Sequence, residues 1–268
     1  GKKDQLNYMW RRDASQWANS APILFPIVGA LKNDTCVING KEYHMTQHGF
    51  ARHNEFETNQ VSDTEVIFSL KSNDEIIKQY PFLFELNVTY QLVENKLKCH
   101  IEVKNTDHQP IYFQVGGHPA FACPFMENES SNDYYLEFSE NETCNRKIID
   151  VEKRGMSRVE KPFFDNEKRF FVRQELFNTD AIVIKNFKSE NIALKSLNHD
   201  KSIVFHMNGF DHVGLWAAKH VGGLIAIEPW VGHADYTDFN GEFKEKESCV
   251  ELPVGKNFEV EFAVEINQ

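Results

Sequence analysis

The chain has 268 residues, of which 41% are hydrophobic and 26% are charged. This length and composition are those of a globular protein whose core needs neither disulfides nor a metal to be stable. The formal net charge is -11, from 29 Lys and Arg against 40 Asp and Glu. That balance argues against nucleic acid and membrane as partners, because both select for basic residues. No apolar run approaches the roughly 18–20 residues of a membrane-spanning helix.

Alternation of apolar and polar residues with a period of two dominates the chain and predicts β-strands. In chain order, the predicted strands cover residues 64–70, 82–92, 97–103, 111–115, 181–184, 202–206, 224–227 and 258–266. The alternation is clearest in the second, third and last of these. Glu94-Asn95 between the second and third is a turn signal, so these two strands are predicted to form a hairpin.

The charged segment 152–175 carries few strand signals and is predicted to be a loop or lid with short helical turns. Neither an internal repeat nor a linker divides the chain. Residues 1–268 are therefore predicted to form a single all-β domain. Many short antiparallel strands without crossover helices favour one large β-sandwich.

The five cysteines are odd in number and form no CxxC motif. We expect them to be reduced core thiols of a cytoplasmic protein rather than a disulfide framework.

Glu228 follows an apolar stretch at 223–227 and precedes Pro229, which is expected to stop the pairing of that strand. A carboxylate at the end of a buried strand is partly desolvated, which raises its pKa and suits it to general base catalysis. Trp230 is predicted to lie on the same face, where an aromatic ring can hold a sugar. A strand-end ion pair and an ordinary core contact explain these two residues equally well.

His118 stands between Gly116-Gly117 and Pro119. The glycines permit a bend or a close approach to a ligand, and the proline restricts His118 to an extended backbone. An imidazole held in this way can exchange protons near neutral pH. A histidine that is hydrogen-bonded inside a turn is an equally good explanation.

His48 and Arg52 are four residues apart around a bend at Gly49, so both are candidates for one pocket. The Arg52 guanidinium offers a planar donor fork for hydroxyl or phosphate oxygens, although a lone arginine is more often paired at the surface. Asp180 precedes the strand predicted at 181–184, where a carboxylate can accept hydrogen bonds from vicinal hydroxyls. On its own, a turn aspartate explains Asp180 better.

Metal and nucleotide chemistry have no support in the sequence. His44 and His48 have an i, i+4 spacing, but nothing predicts a helix there and no HExxH motif is present. The histidines without any ligand-like spacing are His53, His199, His206, His212, His220 and His233. The glycine-rich nucleotide motifs and the GxSxG motif of serine hydrolases are absent as well.

Four segments occur together and in order: QHGFAR at 47–52, GGHPAF at 116–121, Asp180 before its strand, and EPW at 228–230. With these segments the chain resembles the bacterial branch of the aldose 1-epimerase (mutarotase) family. The similarity extends from about Trp10 to the last strand. It implies a galactose mutarotase-like β-supersandwich with an active cleft across one open face.

The resemblance also implies roles for individual residues. Glu228 and His118 correspond to the catalytic pair, whereas His48, Arg52 and Asp180 correspond to substrate contacts. The implied reaction interconverts the α and β anomers of an aldohexose: Glu228 takes the proton of the anomeric hydroxyl and His118 protonates the ring oxygen. The expected partner is therefore a small-molecule sugar, and neither a metal nor an organic cofactor is needed.

Three alternatives stay open at this stage. They are a non-catalytic sugar-binding protein on the same fold, a hexose 6-phosphate mutarotase, and a glycoside hydrolase that uses Glu228 and Asp180 as paired carboxylates. Related sequences often have a basic residue where this chain has Ala30, which leaves the choice of sugar open. The sequence is compatible with a monomer or a homodimer.

Overall fold

The computed structural model describes residues 2–3, 6–218 and 223–267, with the backbone alone for Lys2, Lys3 and Gln174. The described residues form 21 strands and one short α-helix, α1, at Asp74–Ile77. The strands are β1 Lys2–Lys3, β2 Leu6–Asn7, β3 Ile23–Leu24, β4 Thr35–Ile38, β5 Lys41–His44, β6 Glu57–Ser62, β7 Glu65–Lys71, β8 Phe84–Val93, β9 Lys96–Asn105, β10 Ile111–Phe113, β11 Val115–Gly117, β12 Ala120–Cys123, β13 Tyr134–Asp150, β14 Gly155–Phe171, β15 Ile182–Lys185, β16 Asn191–Ser196, β17 Ser202–Asn208, β18 His212–Trp216, β19 Gly223–Val231, β20 Val250–Leu252 and β21 Asn257–Asn267.

Most of these strands belong to one antiparallel sheet of 15 strands. Its order is β3-β11-β19-β18-β15-β13-β16-β17-β21-β9-β8-β7-β6, with β12 pairing with β19 and β14 pairing with β13. Phe25, directly after β3 at one end of this order, contacts Phe84 in β8 near the other end, with ring centroids 4.9 Å apart. The sheet therefore curves until its two ends enclose a common core. This architecture confirms the predicted all-β class and antiparallel β-sandwich.

The predicted hairpin is present. Strands β8 and β9 pair from Phe84 opposite Asn105 to Val93 opposite Lys96, so the turn between them is the dipeptide Glu94-Asn95. Glu94 adopts the positive φ of 55° that a tight turn of this kind needs. The other predicted strands fall within or beside β7, β10, β11, β15, β17, β19 and β21.

The prediction of a loop or lid at 152–175 is wrong for most of that segment. Gly155–Phe171 forms β14, which pairs with β13 in a long two-stranded ribbon. Most side chains of β14 are exposed, so the strand has no alternation between core and solvent, and the period-two signal is missing for that reason. A 3-10 turn at Gln174–Phe177 follows the ribbon.

The prediction that Pro229 stops the pairing is also wrong. Strand β19 continues to Val231, and Pro229 lies opposite Val213 of β18. On the other side of β19, β12 pairs with residues 223–226 and β11 with residues 230–231. Ile227 directs its N–H to that side, toward the Pro119 carbonyl, and Pro229, two residues on, directs its nitrogen the same way. The missing N–H therefore falls in the gap between two partner strands, where no ladder bond is lost.

The main hydrophobic core lies inside the curved sheet, and a smaller buried cluster lies beneath the candidate site. The members of this smaller cluster are Leu24, Val28, Met156, Val183, Trp230 and Tyr236. All five cysteines are free; Cys36, Cys99 and Cys123 are buried in the core, whereas Cys144 and Cys249 are half-buried. Among the described residues, no helix has the length and apolar character needed to cross a membrane.

Candidate active site

A cavity of about 410 Å³ brings together all the residues predicted to act on a substrate. They are His48, Arg52, His118, Asp180, Glu228 and Trp230. These side chains come from distant parts of the chain, so the curved sheet is what assembles them.

His118 and Glu228 are in direct contact at one wall of this cavity. His118 lies in the bend between β11 and β12, and both of these strands pair with β19, which carries Glu228. The Nε2 atom of His118 is 3.2 Å from Oε2 of Glu228. The two residues are only 8% and 2% exposed, so the contact is shielded from water.

Burial displaces the pKa values of the two residues in opposite directions. It raises the pKa of Glu228 well above the ordinary value of 4.5, with the charge of Asp180 adding to the rise and the Trp230 side chain opposing it. It lowers the pKa of His118 well below 6.5, with His48 and Arg52 acting in the same direction and a contact with the backbone of His118 itself opposing them. Near neutral pH, burial thus favours a carboxylic acid beside a neutral imidazole.

His48 is held by an unusual turn. His48 and Gly49 both have positive φ, 67° and 72°. A Cβ atom on Gly49 would lie 2.3 Å from the Phe25 carbonyl oxygen, so only glycine fits there. The N–H of Gly29 donates to His48 Nδ1 at 3.2 Å, which assigns the ring hydrogen to Nε2. Burial lowers the pKa of His48 to about 3, so at neutral pH this ring is an uncharged Nε2–H donor at the cavity wall.

Arg52 lies in the 3-10 turn Ala51–His53 and is partly buried beside the cavity. Within the part of the chain that the structure describes, no carboxylate pairs with its guanidinium, and its buried Nε has no hydrogen-bond partner. Among the described residues, the alternative that Arg52 forms an ion pair at the surface is therefore excluded. The guanidinium is available for a ligand oxygen.

Asp180 has a φ of 141°, which residues other than glycine rarely adopt. Its Oδ1 accepts a hydrogen bond from the N–H of Ala181 at 2.7 Å, directly before β15. Strained backbone of this kind is concentrated at functional positions. A role as a simple turn aspartate would explain this hydrogen bond. It would not explain why the Asp180 carboxylate lies at the cavity wall, where its charge raises the pKa of Glu228.

Trp230 occupies space that glycines on the neighbouring strands leave free. A Cβ on Gly116 would lie 2.8 Å from Cδ1 of Trp230, and a Cβ on Gly214 would lie 2.6 Å from its Cζ2. The indole thus extends from β11 across β19 to β18. Because Trp230 is only 5% exposed, it serves as an apolar floor of the cavity.

Sequence reasoning missed several residues that line the cavity, among them Trp17, Gln47, Arg154 and Trp216. Trp17 belongs to the segment before β3, and Trp216 ends β18. Arg154 lies between β13 and β14 and donates two hydrogen bonds to the Asp34 carboxylate, at 3.0 and 3.1 Å. Of these four residues, only Gln47 could have been found from the sequence, because it belongs to the QHGFAR segment.

One group of described side chains has the geometry to hold a metal ion. The ligand atoms of His212, His233 and Glu247 lie within 4.8 Å of one another. The Nδ1 atom of His212 lies 2.8 Å from Asp211 Oδ1, and the Nδ1 atom of His233 lies 2.6 Å from the Ala234 carbonyl oxygen. Both Nε2 atoms are therefore left as acceptors. The sequence carried no ligand spacing because the three residues come from separate segments.

Other groups already bind the carboxylate of this cluster. Glu247 contacts the Lys185 ammonium through Oε1 and accepts a hydrogen bond from the Tyr236 hydroxyl through Oε2. None of the three cluster residues lines the cavity. His220, which was also predicted to have no ligand role, lies outside the described residues.

The chain is similar to known proteins over most of its length. A family model described as aldose 1-epimerase matches residues 1–251. Protein LacX (plasmid) of Lactococcus lactis subsp. lactis is 36% identical over 244 residues, which cover 86% of this chain and 79% of the relative.

Two solved structures have closely similar folds. A galactose mutarotase related enzyme from Lactobacillus acidophilus superposes with a TM-score of 0.91 at 31% identity, covering 97% of this chain and 87% of that one. A galactose mutarotase-like protein from Lactobacillus casei gives a TM-score of 0.90 at 30% identity, covering 98% and 90%.

Proposed function

Because the chain belongs to the aldose 1-epimerase family, we propose that it interconverts the α and β anomers of a free aldohexose by acid–base opening and closure of the sugar ring. The observation that carries the proposal is the buried contact of 3.2 Å between His118 Nε2 and Glu228 Oε2 at the wall of the cavity. An anomer exchange needs one acid and one base in a single site, and this pair supplies both.

The opposite pKa displacements suit this chemistry. With the Glu228 pKa raised and the His118 pKa lowered, the pair carries one titratable proton over a wide pH range. The neutral form, carboxylic acid and imidazole, contains as many protons as the ionic form, carboxylate and imidazolium. The reaction needs to change only the position of that proton and not the net charge of a buried site.

Ring opening uses the ionic form. The Glu228 carboxylate takes the proton of the anomeric hydroxyl, and the His118 imidazolium gives its proton to the ring oxygen. The bond between C1 and the ring oxygen breaks as the C1 carbonyl forms, which leaves the pair in its neutral form. After rotation about the bond to C1, the steps reverse on the other carbonyl face. Each positioned proton transfer contributes about 10²–10⁴ in rate.

The remaining polar groups of the cavity are proposed to bind hydroxyls. His48 presents a neutral Nε2–H donor and Asp180 presents a carboxylate acceptor. Arg52 presents a guanidinium whose Nε has no partner among the described residues. Trp230 supplies the apolar floor beneath the sugar. Retention of Glu228 and His118 in contact favours catalysis over sugar binding alone.

A free hexose is preferred over a hexose 6-phosphate because the cavity has few basic groups. Arg52 and Arg154 line it, but Arg154 is bound to Asp34, and residues 11–12, both Arg, do not line it. Ala30, where the resemblance predicts a basic residue, is part of the wall and adds no charge. A phosphate site is expected to cluster several Arg and Lys side chains, and the described cavity wall offers Arg52 without such a cluster.

The test is anomer exchange, followed by NMR on glucose, galactose and glucose 6-phosphate. The wild type should accelerate exchange of a free hexose above the buffer rate. Glu228→Gln and His118→Asn should each lower kcat by about 10²-fold or more. The melting temperature of each variant is the control for folding and should stay close to that of the wild type. Turnover close to that of the wild type in either variant would show that the catalytic roles are assigned wrongly.

Arg52→Ala separates the two substrate classes. If Arg52 holds a hydroxyl, the variant should lose similar fractions of kcat/KM on glucose and on glucose 6-phosphate. A charge-assisted bond to phosphate is about twice as strong as a neutral hydrogen bond. A selective loss of glucose 6-phosphate turnover would therefore contradict the preference for a free hexose.

A further inference from the structure

The imidazole of His118 is enclosed by aromatic rings. Trp17 stacks on it, with ring centroids 4.6 Å apart and planes 26° from parallel. Trp216 approaches it edge-on at 5.7 Å, and His48 does so at 5.8 Å. Trp17 and Trp216 also contact each other at 5.6 Å. Both tryptophans line the cavity.

The hydrogen bonds of His118 do not account for its orientation. A functional histidine is commonly oriented by a hydrogen bond at its second ring nitrogen. Here, within the described residues, Nδ1 of His118 is buried and has no hydrogen-bond partner outside His118 itself. Apart from the contact of Nε2 with Glu228, the orientation of the ring therefore comes from packing against the ring faces and edges.

We propose that Trp17 is a positioning residue, whose stacked indole holds the His118 imidazole in line with Glu228 and the substrate. The role in catalysis rests on the proposed mutarotase function, whereas the role in orienting the ring does not. Trp216 contacts both the edge of the imidazole and the Trp17 indole.

The segment that carries Trp17 is anchored independently of the sugar site. The indole N–H of Trp10 donates to the Trp17 carbonyl at 2.9 Å, and the Trp17 N–H donates to the Asp13 carbonyl at 2.8 Å. Arg12 Nε donates to the Ala18 carbonyl at 2.9 Å. These bonds hold the backbone on both sides of Trp17, so the indole is a fixed wall for the imidazole.

Stacking also favours the ionic step of the reaction. An indole face attracts a cation, so it stabilises the imidazolium form of His118. The charged and titratable groups that face the ring are Glu228, His48 and Arg52. His48 and Arg52 both oppose a positive charge on His118, whereas a contact with the backbone of His118 itself favours it. The indole face adds to that favourable contact.

The experiment compares Trp17→Leu, which keeps an apolar side chain without stacking, with Trp17→Phe, which keeps an aromatic face. Trp17→Leu should lower kcat about tenfold, the order of a desolvated cation–π contact, with little change in KM. It should also move the acid limb of the pH profile to lower pH, because leucine keeps the His118 ring buried but removes the attraction of the indole for the imidazolium. Trp17→Phe should retain most of kcat and the pH profile of the wild type.

Ser15→Ala is the matched control, because it removes a hydrogen bond to Asp13 in the same segment without touching the stack. It should leave kcat and the pH profile unchanged. NMR titration of the His118 ring provides a readout that needs no turnover, and in Trp17→Leu the ring should titrate at a lower pH than in the wild type. If the wild type exchanges no anomers, the proposed function fails, but this titration still decides the role of Trp17. Equal titration and kinetics in Trp17→Leu and the wild type, or equal defects in the Leu and Phe variants, would overturn the proposal.

Discussion

Burial is the main cause that shifts the pKa values of both Glu228 and His118. It raises the pKa of the acid and lowers the pKa of the base. A pair with ordinary values would combine carboxylate and imidazolium only between about pH 4.5 and 6.5. In this protein the Glu228 pKa is raised well above 4.5 and the His118 pKa is lowered well below 6.5, so the singly protonated pair is not confined to that window. Such coupled groups titrate as a pair rather than as two separate residues.

The pH dependence of activity follows from these directions. The alkaline limb reports loss of the pair's single proton, at the raised pKa of Glu228, and the acid limb reports a second proton, at the lowered pKa of His118. We expect kcat/KM, after subtraction of the buffer rate, to be the same at about pH 6 and about pH 7.5. A fall to half near pH 6.5 would indicate an ordinary pKa for His118 and would contradict the displacement by burial.

At the scale of elements, the site depends on two close approaches between segments. Strand β19 carries Glu228 and Trp230, and the indole needs glycines on both neighbouring strands, Gly116 in β11 and Gly214 in β18. The turn at 47–52 packs its Gly49 against the Phe25 carbonyl just after β3. Both approaches place side chains in the cavity through backbone geometry, and a hydrogen bond from the Gly29 N–H also holds the His48 ring.

Gly49→Ala tests the second approach, and Gly40→Ala is its matched control. Both glycines have nearly the same φ, 72° and 74°, but a Cβ on Gly40 would meet nothing within 4 Å. Gly40→Ala should therefore cost only the conformational penalty, about 1 kcal/mol in the free energy of unfolding. Gly49→Ala adds a clash and should lower stability further, and it should raise KM because His48 and Arg52 move. Chemical denaturation and kinetics measure both effects, and equal losses in the two variants would show that the Phe25 contact does not matter.

At the scale of the whole molecule, the curvature of one sheet creates the cavity. Trp17 lies before the first strand of the large sheet, His48 and Arg52 follow the β4–β5 hairpin, and Glu228 lies in β19. The cluster of His212, His233 and Glu247 lies outside the cavity lining. The proposed proton transfers use cavity residues alone.

Exhaustive treatment with EDTA should therefore leave kcat and KM for anomer exchange unchanged, because Glu228 and His118 perform the chemistry by proton transfer. A melting temperature measured in parallel separates an effect on stability from one on catalysis. Loss of activity on chelation that a divalent metal restores would show that the histidines had been interpreted wrongly.

Strands with one buried and one exposed face, such as β8, β9 and β21, could be predicted from the sequence. In such strands apolar and polar residues alternate along the chain as burial alternates. The four segments of the resemblance likewise indicated His48, Arg52, His118, Asp180, Glu228 and Trp230 before any contact was known. The sequence did not determine β14, because a strand exposed on both faces leaves no alternation.

Only the tertiary structure decided which residues meet. The contact between His118 and Glu228, the continuation of β19 past Pro229 and the stack of Trp17 on His118 depend on how distant strands pair. Local patterns record whether a side chain faces core or solvent, whereas the contacts of His118 with Glu228 and with Trp17 join residues about a hundred positions apart. They exist only because the sheet closes on itself, and no local pattern encodes that closure.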